Sequence, residues 1–115
     1  MLQQVETALL DMDRLKSITM DDPDLMHELV TALVEDTSKQ IAEISQAIES
    51  SDGRRCSRLA HYVKGACANV GAASMAAILQ HMEAKATQGD FDACRTSLEN
   101  LSTELLKFSS QTAAI

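Results

Sequence analysis

Turn-forming residues are scarce in this chain, with one proline and four glycines among 115 residues. A fold of many short strands needs frequent reversals, so this scarcity points to a few long elements. Tryptophan is absent and aromatic residues make up only 3%. A core drawn from Leu, Ile, Val, Ala and Met suits packed helices better than a sheet. No apolar run approaches the length that spans a bilayer, and the amino terminus MLQQVETALLDMDRL is neither basic nor built like a signal peptide. Cations are the minority: 10 Lys and Arg against 17 Asp and Glu leave a formal charge of −7. Such a chain repels phosphate backbones and has few rings on which bases could stack, so nucleic acid is not an expected partner. The expectation is a soluble, cytoplasmic monomer with no membrane contact.

Cysteine is nearly as uninformative. Cys56, Cys67 and Cys94 are odd in number and widely spaced, with no C-x-x-C pair. They are expected to be buried free thiols in a reducing compartment, and the ligand pairs of a zinc site are missing. No metal ligands and no bound cofactor are expected.

What is present is helical punctuation. DDPD at 21–24 offers an Asp cap with Pro23 at the first helical position. From there apolar residues, with Thr37 in the series, recur by threes and fours at 26, 29, 30, 33, 34, 37, 41, 44 and 48, which predicts one long amphipathic helix. ESSDG stops it, and Ser51 or Asp52 caps a second long helix that ends at Gly71. A third, from about Ala73 to Gln88, carries Met75, Ile78, Leu79, Met82 and Ala86 on one face, with Gly89 as its stop. A fourth begins at Asp90 with the stripe Phe91, Cys94, Leu98, Leu101, Leu105 and Phe108. DMDRLKSI predicts a short lead-in helix across the bundle, and the tail SSQTAAI is expected to fray. Long helices with short loops pack antiparallel. The predicted fold is all-α: an antiparallel up-and-down four-helix bundle with a short N-terminal lead-in helix, one domain over 1–115 with its core at about 12–108.

The second long helix holds the chemistry. On a wheel of roughly 100° per residue with Cys56 at zero, the apolar residues centre near roughly 340°, while His61 falls at roughly 140° and Gly65 at roughly 180°. His61 is therefore turned away from the core, unlike the usual satisfied core histidine. Gly65 sits one turn later on the same side, although a mid-helix glycine costs about 0.5–1 kcal/mol relative to Ala. It leaves room for something to approach the ring. Lys64 flanks the same strip, where an ammonium would offset the charge of a phosphoryl group. His27 and His81 have no such surroundings and are taken as surface residues.

AHYVKGACANVGA, residues 60–72, resembles the signature of histidine-containing phosphotransfer (HPt) domains, roughly A-H-x-L-K-G-x-[AS]-x-x-[LV]-G. His61, Lys64, Gly65, Ala68, Val70 and Gly71 match; Val63 stands where Leu is usual. The likeness extends over about residues 12 to 108. It implies a phosphorelay intermediate of two-component signalling, without an ATP site of its own, that accepts a phosphoryl group on Nε2 of His61 from a receiver-domain aspartate and passes it to another receiver. Implied partners are response-regulator receiver domains and a hybrid histidine kinase. Mg²⁺ is expected in the receiver, not here. Relatives often carry Gln or Glu bonded to the active imidazole, and Glu83, near the edge of the third helix's core stripe, is the candidate. Ser57, Arg58, Ala68 and Asn69 share the side of His61 and are the candidate partner surface; Met12, Met20 and Met26 could add an apolar rim, and core packing explains them equally well. The start at Met and the short tail favour a free-standing protein over the N-terminal domain of a chemotaxis-type kinase. A non-catalytic helical interaction module would have no use for His61, Lys64 and Gly65 together.

Overall fold

The computed structural model of the protein describes residues 9–115. Positions 1–8, part of the stretch read above as unlike a signal peptide, lie outside the described residues. Five helices follow in order: α1 Met12–Thr19, α2 Pro23–Glu49, α3 Gly53–Val70, α4 Ala73–Thr87 and α5 Phe91–Thr112. No strand occurs among the described residues.

The aspartates set the starts. Asp11, Asp22, Asp52 and Asp90 each turn a carboxylate back onto an orphan amide of the helix they precede, at 3.0–3.1 Å for Arg14 N, Asp24 N, Arg55 N and Ala93 N. Each such cap is worth about 1 kcal/mol. Helix α4 has no side-chain cap; Ala72 precedes it. Its start is fixed instead by the turn at Gly71, which has φ +96°. The Asp11 amide donates to the Gly71 carbonyl at 2.7 Å, and a Cβ on Gly71 would stand 2.8 Å from the Asp11 carbonyl oxygen. Left-handed backbone and close approach together exclude other residues there.

Short loops at 50–52, 71–72 and 88–90 return the chain, so α2 to α5 run up and down as a four-helix bundle. Helix α3 packs on α2 and α4, and α5 closes the ring against α4 and α2. Helix α1 lies on α2 and α3 and buries Leu15 and Thr19. One core joins all five helices, with Ile44, Ile48, Val63, Met75, Leu79, Met82, Leu101 and Phe108 essentially inaccessible. Full burial of each such side chain contributes about 1.5–3 kcal/mol.

Ala47 and Ser97 are buried although neither belongs to the apolar stripes read from the sequence. The tail also differs from expectation. Helix α5 continues to Thr112, whose hydroxyl donates to the Phe108 carbonyl at 2.6 Å, and Ile115 packs on the core. The buried Thr112 methyl and Ile115 hold a segment whose composition alone suggested fraying. No helix among the described residues is long and apolar enough to cross a membrane.

Candidate functional site

Helix α3 buries Cys56, Ala60, Val63, Cys67 and Val70, so the opposite face is left to solvent. The His61 side chain is 68% exposed on that face. Gly65 is exposed too, and a Cβ added there would meet nothing within 4 Å. The strip beyond the ring is open.

Glu83 reaches this strip from α4. It follows buried Met82 and so sits on the α3 side of its helix, half-buried. Its Oε2 lies 3.0 Å from His61 Nδ1, and its Oε1 accepts from Lys64 Nζ at 2.9 Å. The hydrogen bond from Lys64 holds the Glu83 carboxyl below the usual carboxylate range; partial burial opposes this and the contact with His61 adds to it. An ionised carboxylate can only accept, so Nδ1 must carry the proton. In a neutral ring the lone pair then belongs to Nε2. One carboxylate thus fixes both the tautomer of the imidazole and the position of the ammonium.

A second layer supports Glu83. Thr87 Oγ1 donates to the Glu83 carbonyl at 3.0 Å, which uses its only proton. The 3.3 Å contact between Ser57 and Thr87 is therefore a bond donated by Ser57. Ser57, expected at the partner surface, is half-buried at the α3–α4 seam. The helices close tightly here because Gly53 starts α3: a Cβ on it would stand 2.7 Å from the Ala86 carbonyl oxygen.

Beside His61 this seam opens into a groove of about 760 Å³, lined by Arg54, Ser57, Arg58, His61, Glu83 and Thr87 together with parts of both adjoining loops. Ala68 and Asn69 are exposed on the same helix but lie outside the groove; the Asn69 carbonyl accepts from Arg14 Nε at 3.2 Å, which ties that end of α3 to α1. Of the three methionines, Met26 belongs to the core, whereas Met12 and Met20 are exposed. Arg54 and Thr87 were not singled out from the sequence, and Gly53 entered there only as part of the turn ESSDG. Arg54 was visible there as a cation two turns before His61 on its stripe; the other two depend on what α4 places opposite.

The three thiols are free and buried. Burial pushes Cys56 and Cys67 up to about 12 and raises Cys94 as well, which leaves all of them poor nucleophiles. Among the described residues no group of three or more His, Cys, Asp and Glu side chains could hold a metal ion.

Fold and site together define a helical bundle that presents one exposed imidazole oriented by a carboxylate. The chain belongs to the Hpt domain family, whose model matches residues 28–111. As an Hpt domain it is a phosphorelay intermediate of two-component signalling. No curated protein sequence matches it. Its fold is similar to that of histidine-containing phosphotransfer protein B (HptB) from Pseudomonas aeruginosa PAO1, with a TM-score of 0.82 at 22% identity, covering 90% of each chain. It is also similar to the histidine-containing phosphotransfer protein ZmHP2 from maize, with a TM-score of 0.75 at 20% identity, covering 90% of this chain and 86% of that one.

Proposed function

We propose that His61 is the phosphoacceptor, taking a phosphoryl group from the aspartyl phosphate of one receiver domain and giving it to the aspartate of another. The observation that carries this reading is the Glu83 contact to Nδ1 at 3.0 Å on a ring otherwise open to solvent. The Nε2 lone pair attacks phosphorus, the bond from phosphorus to the aspartyl oxygen breaks, and the carboxylate leaves with the electron pair. The Nδ1 proton stays where it is, and the ring's new positive charge faces Glu83. Transfer onward is the same displacement in reverse, with Nε2 as leaving group.

Lys64 supports the reaction as a cation next to the ring, with two donors left after its bond to Glu83. Gly65 keeps the approach clear. The whole chain acts as one domain and as a monomer in the cytoplasm, with no cofactor and no kinase site of its own. Mg²⁺, where the transfer uses it, is supplied by the receiver. Donors include the receiver of a hybrid histidine kinase.

Incubation with a panel of radiolabelled phospho-receivers tests this. The protein should acquire acid-labile, base-stable label, and His61→Gln should fold normally and acquire none. Label that survives in His61→Gln, or sits on His27 or His81, defeats the assignment.

A further inference from the structure

The chain is acidic overall, yet α3 contains four cations, Arg54, Arg55, Arg58 and Lys64, and no Asp or Glu. Its first turn reverses the pattern of its neighbours. Helices α1, α2 and α5 place Asp13, Asp24 and Asp92 there, whereas α3 places Arg54 and Arg55. Positive side chains at a helix start oppose the macrodipole, so the arrangement works against the stability of α3. Two of the four cations have a use within the fold. Arg55 pairs with Glu43 of α2, and Lys64 pairs with Glu83 of α4. Arg54 and Arg58 are exposed, and among the described residues neither makes an ion pair.

These two are the arginines of the groove. Positions 54, 58 and 61 advance by four and three, so both guanidiniums stand on the stripe that leads to the imidazole. A planar fork with several donors matches a carboxylate better than an ammonium does. We infer that Arg54 and Arg58 are specificity-determining docking residues, which engage carboxylates that the receiver domain presents beside its phosphorylatable aspartate. The inference rests on the reading of His61 as phosphoacceptor. It adds where the partner sits, over the α3–α4 seam on the Arg54 side and not over the Asn69 end, and what chemistry it must offer. An attraction of this kind acts mainly on encounter and weakens with salt.

The test takes whichever receiver of the panel labels His61 and measures steady-state transfer at several salt concentrations. The Arg54→Gln/Arg58→Gln double variant should raise KM about tenfold at low salt and flatten its salt dependence. Arg54→Lys/Arg58→Lys should recover part of the loss, and Arg95→Gln on α5, already paired with Asp92, should match the wild type. The double Gln variant should melt no lower than the wild type, since it removes charge from the wrong end of a helix. An unchanged KM and salt slope, or a loss confined to kcat, overturns the inference while leaving His61 as acceptor. A melting point lowered by several degrees overturns it as well, because the arginines would then be structural. If no receiver labels His61, the reading beneath it fails and the inference falls with it.

Discussion

Helix α3 contains two glycines for opposite reasons, and the same substitution should separate them. At Gly65 an added Cβ meets nothing within 4 Å, and the residue lies in mid-helix. Gly65→Ala therefore gains backbone preference without steric cost, about 0.5–1 kcal/mol of stability. At Gly53 the Cβ would stand 2.7 Å from the Ala86 carbonyl oxygen and 3.5 Å from the Phe91 ring. The carbonyl cannot swing aside, because it accepts from the Gly89 amide at 3.1 Å in the turn that ends α4. Relief requires α3 and α4 to separate by several tenths of an ångström along their seam. Overpacking of this kind costs about 1–3 kcal/mol, and the propensity gain at a first helical position offsets only a little of it.

The two variants should thus differ by about 1.5–4 kcal/mol, with the wild type between them. Urea denaturation at neutral pH measures this directly through the midpoints, provided the slopes match. In thermal melts each kcal/mol corresponds to about 3–5 °C for a chain of this size. Gly53→Ala melting at or above the wild type would refute the steric reasoning, and so would a destabilised Gly65→Ala. A larger residue separates stability from access: Gly65→Gln should fold as well as the wild type but slow phosphotransfer, since its side chain stands beside the imidazole.

Glu83→Ala should slow phosphorylation of His61 about fivefold, the worth of one charge-assisted hydrogen bond of about 1 kcal/mol, and ¹⁵N NMR of the ring should show the Nδ1–H tautomer losing its preference. Glu83→Gln should keep most of the rate, since its amide oxygen still accepts the Nδ1 proton. Because the Glu83 carboxyl is held below its usual range, chiefly by Lys64, its contribution to stability is complete above about pH 4.3 and is lost as pH falls through the lower folded value. Urea midpoints of the wild type and Glu83→Gln should accordingly differ at pH 7 and converge in acid; a gap that widens in acid contradicts the sign. With Cys56 and Cys67 pushed up to about 12 by burial, a disulfide-type thiol reagent at pH 7 should label no cysteine in the native protein and all three in urea.

The bundle was readable where a single residue dictates a local event. Asp22 before Pro23, Asp52, Gly71 and Asp90 each mark a boundary through their own backbone or cap chemistry, whatever lies across the core. Apolar spacing then assigned Cys56, Val63 and Cys67 to one side of α3 and left His61 on the other. What escaped depends on the neighbour. Gly53 reads as an ordinary turn glycine until Ala86 stands opposite it. Ser97 and Thr112 look like surface residues, but each lies on the buried side of α5. Lys64 was read as a cation waiting for phosphate, and only the register of α4 against α3 shows Glu83 already bonded to it.

That bond changes what the site has to balance. With the imidazole neutral, as attack by Nε2 requires, the ring, the Lys64 ammonium and the Glu83 carboxylate sum to zero. A phosphoryl group on Nε2 brings about two negative charges, and the retained Nδ1 proton leaves the ring about one positive charge, so the same three groups then total about −1. Glu83 alone would orient the ring and repel its cargo. Lys64, held by the same carboxylate, sets a positive charge next to the ring and makes the two tasks compatible. The pair is half-buried, where screening by salt is weaker than at the open surface. Arg58, one turn before His61 and exposed, adds a second cation on the same stripe. The absence of any acidic residue from α3 suits the proposed reaction: a carboxylate beside the ring would deepen the surplus negative charge. On the proposed reading, the unfavourable charge at the amino end of α3 serves an exposed face that takes up a dianion and meets an acidic partner.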